Sequence, residues 1–287
     1  MASRLYDPRD KTLLVISGGG CAHIENSLGC LKALIESGVK FDVAHGTSAG
    51  ALVSSLLMSK NQNVNSVIDM IKETDFSEWI KIKPWQAIKS ILGKSNYFAD
   101  DTGLKYALEK HITKEGCDST YVSVSVMTDD GKFSHAKVLP GTCYAVLASM
   151  SFQGVFPPVR IDGVLHADGG VNDNIPLPRY MDIPKYKHIY MLVAPKAKLV
   201  PGCKKWTFLD KLLNIIDHTM NREAAQIEQL HFEEAPNITI IKPDSYVESA
   251  KFLGWSDNFE QIEASYEMTK EILSGPKYPA VFPMLPN

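Results

Sequence analysis

The pentapeptide Gly46-Thr47-Ser48-Ala49-Gly50 sets a serine at its centre between two flanking glycines. A short apolar run, Phe41 to Ala44, precedes it, and Ala51-Leu52-Val53 follows as a helix start. Strand, sharp turn and helix form the setting in which the serine of G-x-S-x-G becomes a nucleophile. Such a turn pushes the Ser48 hydroxyl out at the end of a sheet. It lies there beside a helix N-terminus whose free N–H groups favour negative charge. A Gly-rich strand-to-helix turn without chemistry has the same letters, so the serine needs partners.

A serine hydroxyl is a poor nucleophile until a base takes its proton. The chain has eight histidines. His45 lies in the strand before the turn, where its side chain cannot easily reach its near neighbour Ser48. His166 and His188 have no signature context. His218 and His231 fall on a helical pattern with no acid loop before them, unlike the Ser…Asp…His order of ordinary α/β-hydrolases. Asp168, in Ala167-Asp168-Gly169-Gly170, is the better base. A carboxylate followed by two glycines has little steric cover, although Asp-Gly is also a common turn dipeptide. The third part is Ser17-Gly18-Gly19-Gly20, where backbone N–H groups between a strand and a helix can converge on an anion. In acyl transfer that anion is the tetrahedral oxyanion, and losing one such donor costs ~3–4 kcal/mol. A nucleotide-phosphate role ranks lower. The loop lacks the Gly-Lys-Ser/Thr ending of a Walker loop, and no acidic residue closes a dinucleotide-binding unit.

The elements that must position these groups follow from hydrophobic pattern. Lys11 to Ser17 is a short apolar run, as in a strand buried on both faces of a parallel sheet. After the glycines, Ile24, Leu28, Leu31 and Ile35 share one helical face that ends near Gly38. Phe41 to Ala44 is the second strand and Gly50 to Ser59 the second helix. This opening predicts an α/β fold with a largely parallel sheet. Residues 61–118 are polar and mixed, with helices at Val64–Glu73 and Gly103–His111, and read as a cap or insertion over the sheet edge. Strands are expected at Tyr121–Met127, Ala136–Leu139, His188–Val193 and Ile238–Ile241, with a β-hairpin before Asp168. Helices are expected at Tyr144–Met150, Trp206–Phe232 and Glu260–Leu273. With no repeat and no linker, a single domain is expected.

The 287 residues carry a formal net charge of -3 with no long basic run, which gives no footing for a nucleic-acid partner. The five cysteines are scattered without a C-x-x-C pair, so free thiols in a reducing compartment are expected, with no metal site or cofactor. The N-terminus has no apolar core for a signal peptide, and no run reaches the ~20 apolar residues that span a bilayer. The expected location is cytoplasmic or peripheral to a membrane.

In this order, the Gly18-Gly19-Gly20 loop, the Ser48 pentapeptide and Asp168-Gly169-Gly170 resemble the patatin-like phospholipase family. The resemblance covers residues 11 to 195. Leu147 to Val159, with Phe156-Pro157-Pro158, is similar to the helix and loop that precede the family aspartate. Asn172-Asp173-Asn174-Ile175-Pro176 resembles its Asn-x-Pro tail. The resemblance implies a three-layer fold, a mainly parallel sheet flanked by helices, and a Ser-Asp dyad without histidine. Ser48 would be the nucleophile, Asp168 the general base, and Gly18, Gly19 and Gly20 the oxyanion donors. The implied activity is hydrolysis of fatty-acyl esters through an acyl-enzyme, on a phospholipid or other acyl-lipid substrate, without a cofactor. Some members need a protein activator, so such a partner is left open.

One departure stands out. The family loop continues with a basic residue and a glycine, whereas here it continues Cys21-Ala22-His23. His23 either donates to the oxyanion or replaces a structural residue. The rival class is therefore a catalytically degraded relative that binds lipid or a partner. For membrane contact, the segment from Glu78 to Lys94 offers Trp79 and Trp85 with Lys81, Lys83, Lys89 and Lys94, a composition suited to anionic headgroups. The same segment can equally be a cap packed on the core. Phe252-Leu253-Gly254-Trp255 is a second candidate.

Overall fold

The computed structural model describes residues 11–79, 81–82, 97, 99–177, 186–195, 237–250 and 254–275. The apolar run after Lys11 forms β1 (Thr12–Ile16). Its alternate residues enter two cores, Leu14 and Ile16 the larger one, Leu13 and Val15 the smaller. A strand apolar on both faces belongs in the middle of a covered sheet. Helix α1 (Gly20–Glu36), strand β2 (Val43–Thr47) and helix α2 (Ala49–Ser59) follow, as the pattern predicts.

Residues 61–118 contain α3 (Val64–Glu73), α4 (Phe76–Trp79), the short pair β3 (Lys81–Ile82) and β4 (Ala99–Asp100), α5 (Thr102–His111) and α6 (Lys114–Ser119). Val67 and Ile71 of α3 and Leu104 and Leu108 of α5 are buried in the same larger core as α1 and α2. The segment therefore packs on the body of the domain through its helices.

The hairpin β5 (Thr120–Met127) and β6 (Phe133–Pro140) leads into α7 (Cys143–Met150). The Thr142 hydroxyl caps α7 by accepting the Ala145 N–H at 3.2 Å, satisfying one of the orphan donors of its first turn. Then come β7 (Val159–Ile161), β8 (Val164–Asp168), a 3-10 turn at Gly169–Val171, β9 (His188–Leu192), β10 (Ile238–Ile241) and α8 (Glu260–Ser274). The helix expected at Trp206–Phe232 lies outside the described residues.

The main sheet runs β10-β9-β1-β2-β5-β8-β7, with β6 also on β5. The pairs from β10 to β5 are parallel, while β6, β7 and β8 enter antiparallel. Strand β5 carries three partners on two edges. β6 runs along one edge from Tyr121 to Met127. β2 and β8 must then share the other, β2 opposite Thr120–Ser123 and β8 opposite Val124–Met127. Their C-terminal ends meet there, with Thr47 beside Ser123 and Asp168 beside Val124. This junction brings two sequence-distant motifs together.

Helix α8 lies against α1 across a close, partly polar seam. A Cβ on Gly29 would sit 2.1 Å from the Ile262 carbonyl oxygen, so only glycine allows the approach. Buried Glu25 accepts the Ser256 N–H at 2.8 Å, and Asn26 Oδ1 accepts the Ser265 hydroxyl at 2.8 Å. Such groups are tolerated in an interior because they are hydrogen-bonded. Among the described residues no helix is long and apolar enough to cross a membrane.

Candidate active site

Ser48 sits between β2 and α2 with φ 53° and ψ −118°, a left-handed backbone that few side-chain-bearing residues adopt. The flanking glycines have a different task from that residue's. Neither Gly46 nor Gly50 has a φ in the left-handed region that favours glycine. A Cβ at Gly46 would lie 2.3 Å from the Gly50 carbonyl oxygen, and one at Gly50 would lie 2.2 Å from that of Ile16. The glycines thus let the first turn of α2 press onto β2 and β1, while the serine itself carries the strained angle.

The Ser48 hydroxyl donates to Asp168 Oδ2 at 2.7 Å. Asp168 is buried at 4% exposure. Its Oδ1 accepts the Gly170 N–H at 2.8 Å and its own N–H donates to the Ser151 carbonyl at 3.0 Å. Burial raises its carboxyl to about 7, against the opposing pull of the Ser48 and Gly170 hydrogen bonds. A carboxylic acid that titrates near neutrality is a far better proton acceptor than one at the usual value near 4. Both glycines after it allow close packing: a Cβ on Gly169 would strike the Ser123 carbonyl at 2.2 Å, and one on Gly170 would lie 2.9 Å from Asn174 Oδ1.

The glycine loop lies directly against the serine. A Cβ on Gly18 would be 2.4 Å from Asn174 Oδ1 and 3.2 Å from Ser48 Cβ. The expectation that all three glycine amides face an oxyanion needs correction at one position. The Gly18 N–H donates to the Asn174 carbonyl at 3.1 Å, so it holds the loop and is not free for substrate. The amides of Gly19 and Gly20 donate to no acceptor among the described residues, and neither do those of Ala49 and Gly50 at the start of α2. Gly20 has φ 66° and opens α1. Two helix N-termini with free donors therefore border the hydroxyl, an arrangement that favours an anion.

His23 does not reach this space. It is fully buried in the first turn of α1, with Nε2 3.2 Å from the Ser17 hydroxyl and Nδ1 3.4 Å from the Asn26 amide nitrogen. Burial lowers its imidazole to about 3, so it is neutral. Gly19 packs so tightly on it that a Cβ there would be 2.6 Å from His23 Cβ. Ser17 in turn accepts the Ala194 N–H at 2.9 Å. Of the two readings of His23, its position fits the structural one, a support beneath the loop.

His45 also stays away from Ser48. Its Nε2 is 3.2 Å from the Ser123 hydroxyl, which donates to Asp173 Oδ2 at 2.9 Å. The Thr47 hydroxyl donates to the Asp173 carbonyl at 3.0 Å. These contacts tie the end of β2 to the loop after Asp168. Sequence reading passes over Ser123, Ser149, Asp173 and Asn174 as site supports. The available signals are the Val/Ser alternation of β5, which puts Ser123 and Ser125 on one face, and the family-like stretches that contain Ser149, Asp173 and Asn174, which give no role to the individual side chains.

The membrane candidates are dispersed. Trp79 is 7% exposed and packs edge-on against Trp255, with ring centres 6.3 Å apart. This corrects its reading as a lipid-facing residue, because the indole is already covered. Lys81 is exposed on β3. Trp85 and Lys83 lie outside the described residues, as do Phe252 and Leu253.

The family model described as "Patatin-like phospholipase" matches residues 14–179. Among curated proteins, Lysophospholipase NTE1 of Candida albicans is 28% identical over 176 residues, covering 57% of this chain and 12% of that protein. The patatin-like phospholipase domain-containing protein ZK370.4 of Caenorhabditis elegans is 27% identical over 172 residues, with the same two coverages. The chain thus spans only 12% of the length of these relatives. The crystal structure of VipD from Legionella pneumophila aligns over 93% of this chain and 67% of that one, at 17% identity and a TM-score of 0.46.

Proposed function

This chain belongs to the patatin-like phospholipase family, and from that premise we propose that it is a serine lipid acyl hydrolase working through a Ser48–Asp168 dyad. The observation that carries the reading is the 2.7 Å hydrogen bond from Ser48 Oγ to Asp168 Oδ2, made by a serine in a left-handed elbow. Asp168 takes the Ser48 proton as the oxygen attacks an ester carbonyl. The oxyanion is met by the amides of Gly19 and Gly20 and by the first turn of α2. Asp168 then returns the proton to the departing alcohol or lysolipid. Water, deprotonated by the same carboxylate, releases the fatty acid from the acyl-enzyme. The base acts only when ionised, so acylation rises as pH increases through about 7.

The substrate class proposed is a phospholipid or related acyl lipid at a membrane surface, and an activating protein partner stays within the proposal. Fluorophosphonate labelling and product lipidomics on the wild type, Ser48→Ala and Asp168→Asn test it. Both variants should lose labelling and fatty-acid release. Asp168→Asn should drop by roughly 10²–10⁴-fold, the usual worth of a general base. Wild-type activity in Ser48→Ala would sink the hydrolase reading, and full activity in Asp168→Asn would sink the dyad. Liposome binding without acyl release, across lipids and added partner lysates, would favour the lipid- or partner-binding rival.

A further inference from the structure

The backbone N–H of Ser48 does not join a strand ladder. It donates to the side chain of Ser149, 101 residues away in α7, at 2.8 Å. The Ser149 hydroxyl in turn donates to the Ser123 carbonyl at 2.6 Å. Ser149 is fully buried. A hydroxyl has one proton to give, and here it goes to Ser123, so the lone pair facing Ser48 is fixed in direction. Two residues further on, the Ser151 carbonyl accepts the Asp168 N–H at 3.0 Å. One short segment at the end of α7 therefore grips the backbone of both dyad residues. Their spacing is set from outside the hydrogen bond between them.

We propose that Ser149 is a positioning residue whose hydroxyl, held between the Ser48 amide and the Ser123 carbonyl, keeps the nucleophile in the left-handed conformation from which it reaches Asp168. This rests on the Ser48–Asp168 reading above. The contact has two consequences for chemistry. It commits the Ser48 amide inward, so that amide is not an oxyanion donor and that duty falls to other N–H groups. It also removes the choice between strained and relaxed elbow. Without the hydroxyl, two buried backbone groups at the end of β2 and in β5 lose their partner. The elbow then gains by turning its N–H toward another acceptor, which swings Oγ away from the carboxylate.

The test uses the full chain and the Ser149→Ala variant, with three readouts: the rate of fluorophosphonate labelling at Ser48, the dependence of that rate on pH, and Tm. Labelling is expected to slow roughly ten- to hundredfold. The midpoint of the pH profile is expected to move upward. The Ser48 hydrogen bond now lowers the Asp168 carboxyl against its burial, and loosening that bond leaves burial less opposed. Ser149→Thr keeps the hydroxyl and should keep the wild-type midpoint. Val146→Ala, buried in the same helix, should lower Tm while leaving the midpoint in place. Wild-type rate and midpoint in Ser149→Ala, with only a fall in Tm, would overturn the positioning role and spare the hydrolase reading. A folded wild type that is unlabelled at every pH overturns both.

Discussion

Ser48 is a residue whose backbone and side chain have opposite interests. Its φ of 53° suits glycine, and holding any other residue there costs of order 1–3 kcal/mol. On the proposed mechanism serine is needed there only for its hydroxyl. Ser48→Gly should therefore be inactive yet more stable than Ser48→Ala, reversing the ranking expected at an ordinary element position. Thermal melts of the two variants check this, and a higher Tm for the alanine variant would contradict the strain. Asp168 makes a similar trade through its charge. Its folded value is raised, so between the unfolded value near 4 and about 7 the native state holds the extra proton, and stability falls as pH rises through that window. Above about 7 the destabilisation is complete. Asp168→Asn cannot ionise. Its Tm, measured against the wild type, should improve from pH 5 to about pH 7 and level off above it. A gap that stays flat would mean that the carboxyl titrates lower.

At the scale of elements, close approach is the recurring device. Helix α2 presses on β1 at Gly50, and α8 presses on α1 at Gly29. Gly29→Ala puts a methyl 2.1 Å from a backbone oxygen, which cannot move without shifting α8. The expected loss is about 1–3 kcal/mol, read as a drop in the urea midpoint. Labelling of Ser48 should survive, since the seam lies away from the dyad's own contacts. The elements themselves were legible in the chain because they repeat locally. The apolar run of β1 and the helical spacing of Ile24, Leu28 and Leu31 announce themselves within a few residues. The glycines around Ser48 and the aspartate before Gly169 were legible too, as paired turn signals. What sequence could not convey was who holds them. Ser149 meets Ser48 across 101 residues and Asn174 takes the Gly18 amide across a longer span. Neither has a periodic trace, because each depends on which strands become neighbours. Trp79 misled for a related reason. A tryptophan among lysines has a membrane-interface composition, but its burial depends on Trp255 arriving from the other end of the chain.

Over the whole molecule, the first and last described helices close on each other. Glu25 and Asn26 in α1 are satisfied by Ser256 and Ser265, and Glu36 accepts the Tyr266 hydroxyl at 2.6 Å. A chain ending at residue 250 would leave the buried carboxylate and amide of α1 short of partners. Leaving a buried polar group unsatisfied costs ~1–3 kcal/mol, more for a charge, and the apolar cover of Ile262 would go as well. Such a chain should lose its cooperative thermal transition, measurable by circular dichroism, and a sharp transition would show the seam to be dispensable. The sheet has a similar all-or-none property. Ser48 and Asp168 are neighbours only because β2 and β8 stop at adjacent rungs of β5. A single residue inserted or deleted in either strand would displace its end by about 3.3 Å and turn its side chains to the opposite face. The proposed dyad is thus exposed to more than the substitution of its two residues. A change of length within Val43–Thr47, Thr120–Met127 or Val164–Asp168 would part Ser48 from Asp168 with both side chains still present, whereas a replacement there leaves the register in place.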